Sequence, residues 1–96
     1  DKIRTGLFRI FQESLTNVAR HAEAKRTDVS LSLQDHELVL LIEDDGKGFV
    51  TTDIGHHKLG ILGMKERAIM MGGTYTIHSS RGKGTITDVI VPIGKV

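Results

Sequence analysis

Ninety-six residues suffice for one domain, a layer of helices on a sheet, and exclude two independent cores. Thirteen basic against twelve acidic side chains leave a formal charge of +1, so there is no strong positive field of the kind a general nucleic-acid binder uses. With no cysteine, disulfides and thiolate metal sites are excluded, and no apolar run approaches the roughly 20 residues of a membrane helix.

The expectation is a soluble, cytoplasmic chain with no direct membrane contact and no nucleic-acid partner. It opens on Asp1 with helical patterning almost at once, which reads as a piece of a longer protein. Residues 1–96 are read as a single domain.

From residue 3 to about 24, Ile3, Leu7, Phe11, Leu15, Val18 and Ala22 recur at three- and four-residue spacing, the period of an amphipathic helix. The stretch TDVSLSLQ, 27–34, alternates polar and apolar and puts Val29, Leu31 and Leu33 on one face of a strand. HELVLLIED, 36–44, follows a turn at Asp35 and pairs with it as a hairpin. Residues 46–60 hold four glycines without periodicity, a loop long enough to be functional or disordered. Ile61, Met64, Ala68 and Met71 mark a second helix over 61–71, stopped by Gly72 and Gly73. TYTIHSS and GTITDVIVPI then form two strands joined by SRGKG, ending near the single proline, Pro92.

Three constellations can carry chemistry. At about 100° per residue, Glu13, Asn17, Arg20 and His21 share one face of the first helix, away from its apolar stripe. An amide oxygen suits Mg²⁺ and a guanidinium suits phosphate, but a solvated polar face would look the same. In EDDGKGF, 43–49, strand alternation puts Asp44 with Leu38, Leu40 and Ile42, and Glu43 and Asp45 on the opposite face. If the face of Leu40 and Ile42 is the one the helices cover, Asp44 points inward and needs a donor. Gly46 and Gly48 would then let the backbone approach a ligand closely; an ordinary Asp-Gly turn is the other reading. In LGILGM, Gly60 and Gly63 flank the start of the second helix, where free N–H groups suit a phosphate. The five histidines are given no chemistry of their own, the adjacent pair His56 and His57 included.

Taken together, FRIFQESLTNVARHAEA (8–24), DDGKGF (44–49), LGILGMKERA (59–68) and GKGT (82–85) closely resemble the ATP-binding catalytic domain of bacterial sensor histidine kinases. The DesK/NarX-like subgroup of the GHKL ATPases and kinases is the nearest in pattern. The resemblance implies an α/β two-layer sandwich, with a mixed, mostly antiparallel sheet covered on one face by helices. It also implies ATP and Mg²⁺. Asn17 would coordinate the metal, Glu13 would act as acid or base near the γ-phosphate, and Arg20 and His21 would line the phosphate side. Asp44 would accept from the adenine amine beside Gly46 and Gly48, with Thr85 nearby. Gly60, Ile61, Gly63 and Met64 would meet the nucleotide next to a lid at residues 50–59.

The implied activity is donation of the γ-phosphoryl group to a histidine on a separate dimerisation domain, for onward transfer to a response regulator. A serine/threonine kinase of the anti-sigma-factor kind, or a nucleotide-binding regulatory module without turnover, are the alternatives. The pattern departs from the family in three ways: Lys58 replaces a glycine, and neither the first strand nor the phosphoacceptor hairpin precedes the helix. None of the five histidines is therefore expected to be phosphorylated, and this chain alone should bind ATP without labelling itself.

Overall fold

The computed structural model describes residues 2–48 and 58–94, apart from the side chains of residues 21, 58 and 59. Helix α1 (Lys2–Asn17) runs into a π-helical turn (Val18–Ala22), followed by strands β1 (Thr27–Gln34) and β2 (Glu37–Asp44). Helix α2 (Lys58–Met70) precedes strands β3 (Thr74–Ser79) and β4 (Thr85–Pro92). The four strands form one sheet in the order β1-β2-β4-β3, and all three pairings are antiparallel. This is the two-layer arrangement expected, with the predicted hairpin present. Asp35 and His36 both take positive φ, 49° and 65°, the conformation of a tight two-residue hairpin turn.

Alternation along the strands decides which face meets the helices. Leu40, Ile42 and Asp44 of β2 are buried together with Thr87, Val89 and Val91 of β4, while Glu37 and Glu43 remain exposed. The helices contribute Leu7 and Ile10 from α1 and Met64 and Ala68 from α2 to the same core. Here the helix pattern needs correcting. The buried arc of α1 is centred on Leu7, Ile10 and Ser14, with Ile3 and Phe11 only partly covered. The reason is that α1 touches α2 as well as the sheet, so its contact arc is wider than a one-sided stripe. Ser14 Oγ donates to Met64 Sδ at 3.3 Å across that helix contact.

At the far edge, Val29, Leu31 and Leu33 share the inner face through their pairing with Ile42, Leu40 and Leu38. They lie beyond the helices' cover, however, and Leu33 keeps 62% of its surface exposed. On the opposite sheet face Ile86 is also exposed, as the alternation of β4 requires.

The second departure is at the end of α1. Regular α-helix stops at Asn17, and the following turn widens to π geometry before Glu23 reverses the chain with φ 52°. A π turn advances each residue by a smaller angle than an α turn, so the helical projection of Arg20 and His21 fails beyond Asn17. The Ala22 carbonyl at its end accepts the Lys47 N–H at 2.7 Å, joining the helix end to the loop after β2.

Candidate functional site

A cavity of about 190 Å³ opens between the last turns of α1, the inner sheet face and the first turns of α2. Its floor is laid by strand register. Asp44 pairs with Thr85 and Ile42 with Thr87 across β2 and β4, and Ser79 and Ile77 continue those two rows onto β3. Asn17, Ile61, Met64 and Tyr75 close the sides. Such a volume is below the ~300–1,000 Å³ of pockets that enclose a whole ligand, and suits one flat ring system of a larger molecule.

Asp44 is the floor's charged group and is only 7% exposed. Its Oδ1 accepts the Gly46 N–H at 2.8 Å, and no partner among the described residues engages Oδ2. A buried carboxylate with one free acceptor in a largely apolar cavity calls for an N–H donor. Thr85 Oγ1 lies 2.8 Å from Ser79 Oγ, and Ser79 Oγ donates to the Gly84 carbonyl at 3.0 Å. Tyr75 Oη is buried without a hydrogen-bond partner among the described residues. Burial pushes its pKa up to about 12, and the Thr87 hydroxyl beside it tempers that shift although it is outside hydrogen-bond geometry.

Two turns hold the floor in place. Gly82 N–H donates to the Lys47 carbonyl at 2.6 Å, and Gly48 packs so closely on the Ser80 carbonyl that no Cβ would fit. Gly84 has φ +75° and lies against the Asp44 carbonyl, where a Cβ would also stand 3.0 Å from the Asp44 carbonyl carbon. Gly46 faces the Ala22 carbonyl and does not line the cavity. Close approach at Gly46 and Gly84 therefore serves contact with the protein's own backbone, while Gly48 combines such a contact with a place in the cavity lining.

A second, more polar hollow of about 400 Å³ lies between α1 and α2, lined by Arg9, Glu13, Gly60, Gly63, Met64 and Arg67 among others. Glu13 and Asn17 are one turn apart on α1 yet open into different hollows, with Met64 lining both. Gly60 touches Glu13: a Cβ there would come within 2.8 Å of Oε1.

Residues 2–95 match the profile of the family described as Histidine kinase-, DNA gyrase B-, and HSP90-like ATPase. The chain belongs to that ATPase family. It is 44% identical over 87 residues to Sensor histidine kinase LiaS of Bacillus subtilis, covering 91% of this chain and 24% of LiaS. It is 36% identical over 95 residues to Signal transduction histidine-protein kinase/phosphatase DegS of the same organism, covering 96% of this chain and 25% of DegS. Among solved structures, the histidine kinase domain of the Erythrobacter litoralis EL346 blue-light activated histidine kinase superposes with a TM-score of 0.73 at 26% identity. That match covers 92% of this chain and 43% of the other. The chain thus spans about a quarter of the length of the curated relatives it matches.

The ATPase domain brings Asn17, Asp44, Gly48, Ile61, Met64 and Thr85 together around one cavity. Glu13, Gly60 and Gly63 belong to the neighbouring hollow. Arg20 is exposed and lines neither, because the π turn carries it off the Asn17 face. The side chain of His21 and the lid segment up to residue 57, including His56 and His57, lie outside the described residues, while the last two lid positions, 58 and 59, belong to α2. Helix α2 begins at Lys58, three residues earlier than its apolar stripe implies. Gly60 therefore sits in the first turn, where N–H groups have no helical partner, while the Gly63 N–H is bonded inside the helix and is not a free donor.

Sequence reading passed over four residues of this ATPase domain. Arg9, one turn before Glu13, and Arg67 stand in the polar hollow, and Lys47 lines the cavity. Asp45, set aside as a neighbour of Asp44, accepts the Lys25 and Arg26 N–H groups through Oδ1, each at 2.9 Å. These bonds, Arg26's first, pull its pKa below the usual carboxylate value. Its task is to tie the start of β1 to the end of β2.

The described residues include no cluster of three or more His, Cys, Asp or Glu side chains. Asn17 lines the cavity and makes no side-chain capping bond to the π turn that follows it, so its amide is not committed there. That donor set fits a Mg²⁺ ion held mainly by ligand phosphates and water.

Proposed function

We propose that this domain binds ATP with its base in the cavity, the exocyclic amine donating to Asp44 Oδ2. The observation that carries this reading is a buried carboxylate with one uncommitted oxygen, placed in an apolar cavity of an ATPase-family fold. Isoleucines 42 and 61 and Met64 give the ring apolar contact. The triphosphate then runs out past Asn17 toward the polar hollow, where Arg9 and Arg67 supply positive charge.

A Mg²⁺ ion reached by the Asn17 amide oxygen would supply charge neutralisation for the phosphates. Glu13 stands in the hollow where the terminal phosphate arrives and serves as acid or base there. Phosphoryl transfer needs mostly alignment and charge stabilisation, which these side chains provide. Both curated relatives are named as histidine kinases, and the acceptor is accordingly a histidine on a separate dimerisation domain of the whole protein. A response regulator receives the phosphoryl group in turn. We place the domain in the cytoplasm as part of such a sensor kinase; no described helix is long and apolar enough to cross a membrane.

Calorimetric titration with Mg·ATP tests the base site. Asp44→Asn replaces one acceptor with a group that presents a donor to a donor, and should weaken binding by about 1–3 kcal/mol. Unchanged affinity would remove Asp44 from base recognition.

A further inference from the structure

Thr85 has a hydroxyl that can in principle turn its proton either way, so what it offers the cavity depends on what its neighbour does. That neighbour is Ser79, its partner across β3 and β4. Ser79 Oγ donates at 3.0 Å to the Gly84 carbonyl, which can only accept. The same Ser79 oxygen stands 2.8 Å from Thr85 Oγ1. A hydroxyl has one proton, and Ser79's is committed to Gly84. Thr85 must therefore be the donor in that contact, and its oxygen turns only lone pairs to the cavity.

On the other side Thr85 pairs with Asp44, whose carboxylate also only accepts when ionised. The polar row of the floor is then acceptor-only. Its orientation is fixed at the Gly84 end, because Gly84 is wedged at φ +75° against the Asp44 main chain.

We infer that Ser79 is a positioning residue for base selectivity: by holding the Thr85 proton on the β3 side, it makes the floor accept an amino-purine edge and refuse a 6-oxo-purine edge. This rests on the proposed placement of the base in the cavity. An exocyclic amine brings two N–H donors to Asp44 and Thr85. A 6-oxo group brings a lone pair against lone pairs, an unmade hydrogen bond in a site built to make one. Without the Ser79 hydroxyl, Thr85 is free to rotate and donate to that oxo group.

The test compares Mg·ATP with Mg·inosine triphosphate, whose base carries a 6-oxo group, by calorimetry on the wild-type chain and on Ser79→Ala. The ratio of the two affinities should move toward inosine triphosphate by about three- to tenfold, mostly through tighter binding of that nucleotide. Ser79→Thr, which retains the hydroxyl, should restore the wild-type ratio. Ser79→Cys keeps the volume but donates weakly, and should move the ratio in the same direction if the alanine variant does not fold. In a Thr85→Val background, Ser79→Ala should leave the ratio unaltered. Equal weakening of both nucleotides by Ser79→Ala, with the ratio intact, would overturn the inference and leave the base site standing. A wild-type chain that binds neither nucleotide would overturn the base site itself.

Discussion

The cavity floor and the polar hollow lie on either side of Met64, and they are built in opposite ways. The floor takes two residues from each of three paired strands and is clasped by two turns in backbone contact. The hollow is a seam between two helices, touching at Gly60 and Glu13, and a Cβ added at Gly63 would meet nothing within 4 Å. A site thus has one end that cannot yield and one that can. In the proposed function, base recognition falls to the first and phosphate chemistry, with its changing charge and shape, to the second.

The strongest way to break this contrast is Gly84→Ala. At φ +75° with the Asp44 carbonyl against it, an added methyl combines backbone strain with steric overlap and should cost about 3 kcal/mol or more. Chemical denaturation measures it, and a wild-type midpoint would mean that the floor is as adaptable as the seam.

Next in size is Tyr75, in the side wall of the cavity. Its folded pKa of about 12 lies above the ordinary 10.0, so above pH 10 the unfolded chain gives up a proton that the folded one keeps. Stability is fully present below about 10 and falls as pH rises toward about 12, by roughly 2 kcal/mol. As the chain has a single tyrosine, its ultraviolet titration reads the group directly. Titration at the ordinary value would show that the cavity wall admits water.

The smallest effect separates the two helix glycines. Gly63→Ala should stabilise the chain by about 0.5–1 kcal/mol, since alanine is the better helix former and the space is open. Gly60→Ala should gain less, because its methyl would meet Glu13 Oε1 at 2.8 Å and displace that carboxylate. Equal midpoints for both variants in thermal melts would erase the distinction.

The floor was more legible in the sequence than the seam, for a physical reason. Strand alternation is a strict period of two, so once Leu40 and Ile42 are assigned to the core, Asp44 is carried inward and Glu43 outward. Helix phase is less forgiving. A constant angular step put Arg20 beside Asn17, and the π turn at Val18–Ala22 gives no periodic signal of its own. Gly60 reads as the end of a loop, yet it lies in α2, where it answers to Glu13 on another element. The same is true of Gly46 against Ala22 and of Asp45 against Lys25 and Arg26. These contacts are long-range in sequence, and local pattern does not record them. Ser79 is the exception: it faces Thr85 across the SRGKG turn as its partner in one hairpin, and the register of that turn would have revealed it.

The strand order has a consequence in time. The hairpins β1–β2 and β3–β4 each join neighbours in sequence, but the central pairing of β2 with β4 brings Asp44 to Thr85 from roughly forty residues apart. Local contacts close quickly and distant ones slowly, so the two hairpins can form before they dock. The cavity floor, with residues from both, arises only at docking. A newly made chain therefore has no partial version of the base site to offer a nucleotide, and ligand present during folding can favour only the step in which the sheet is completed.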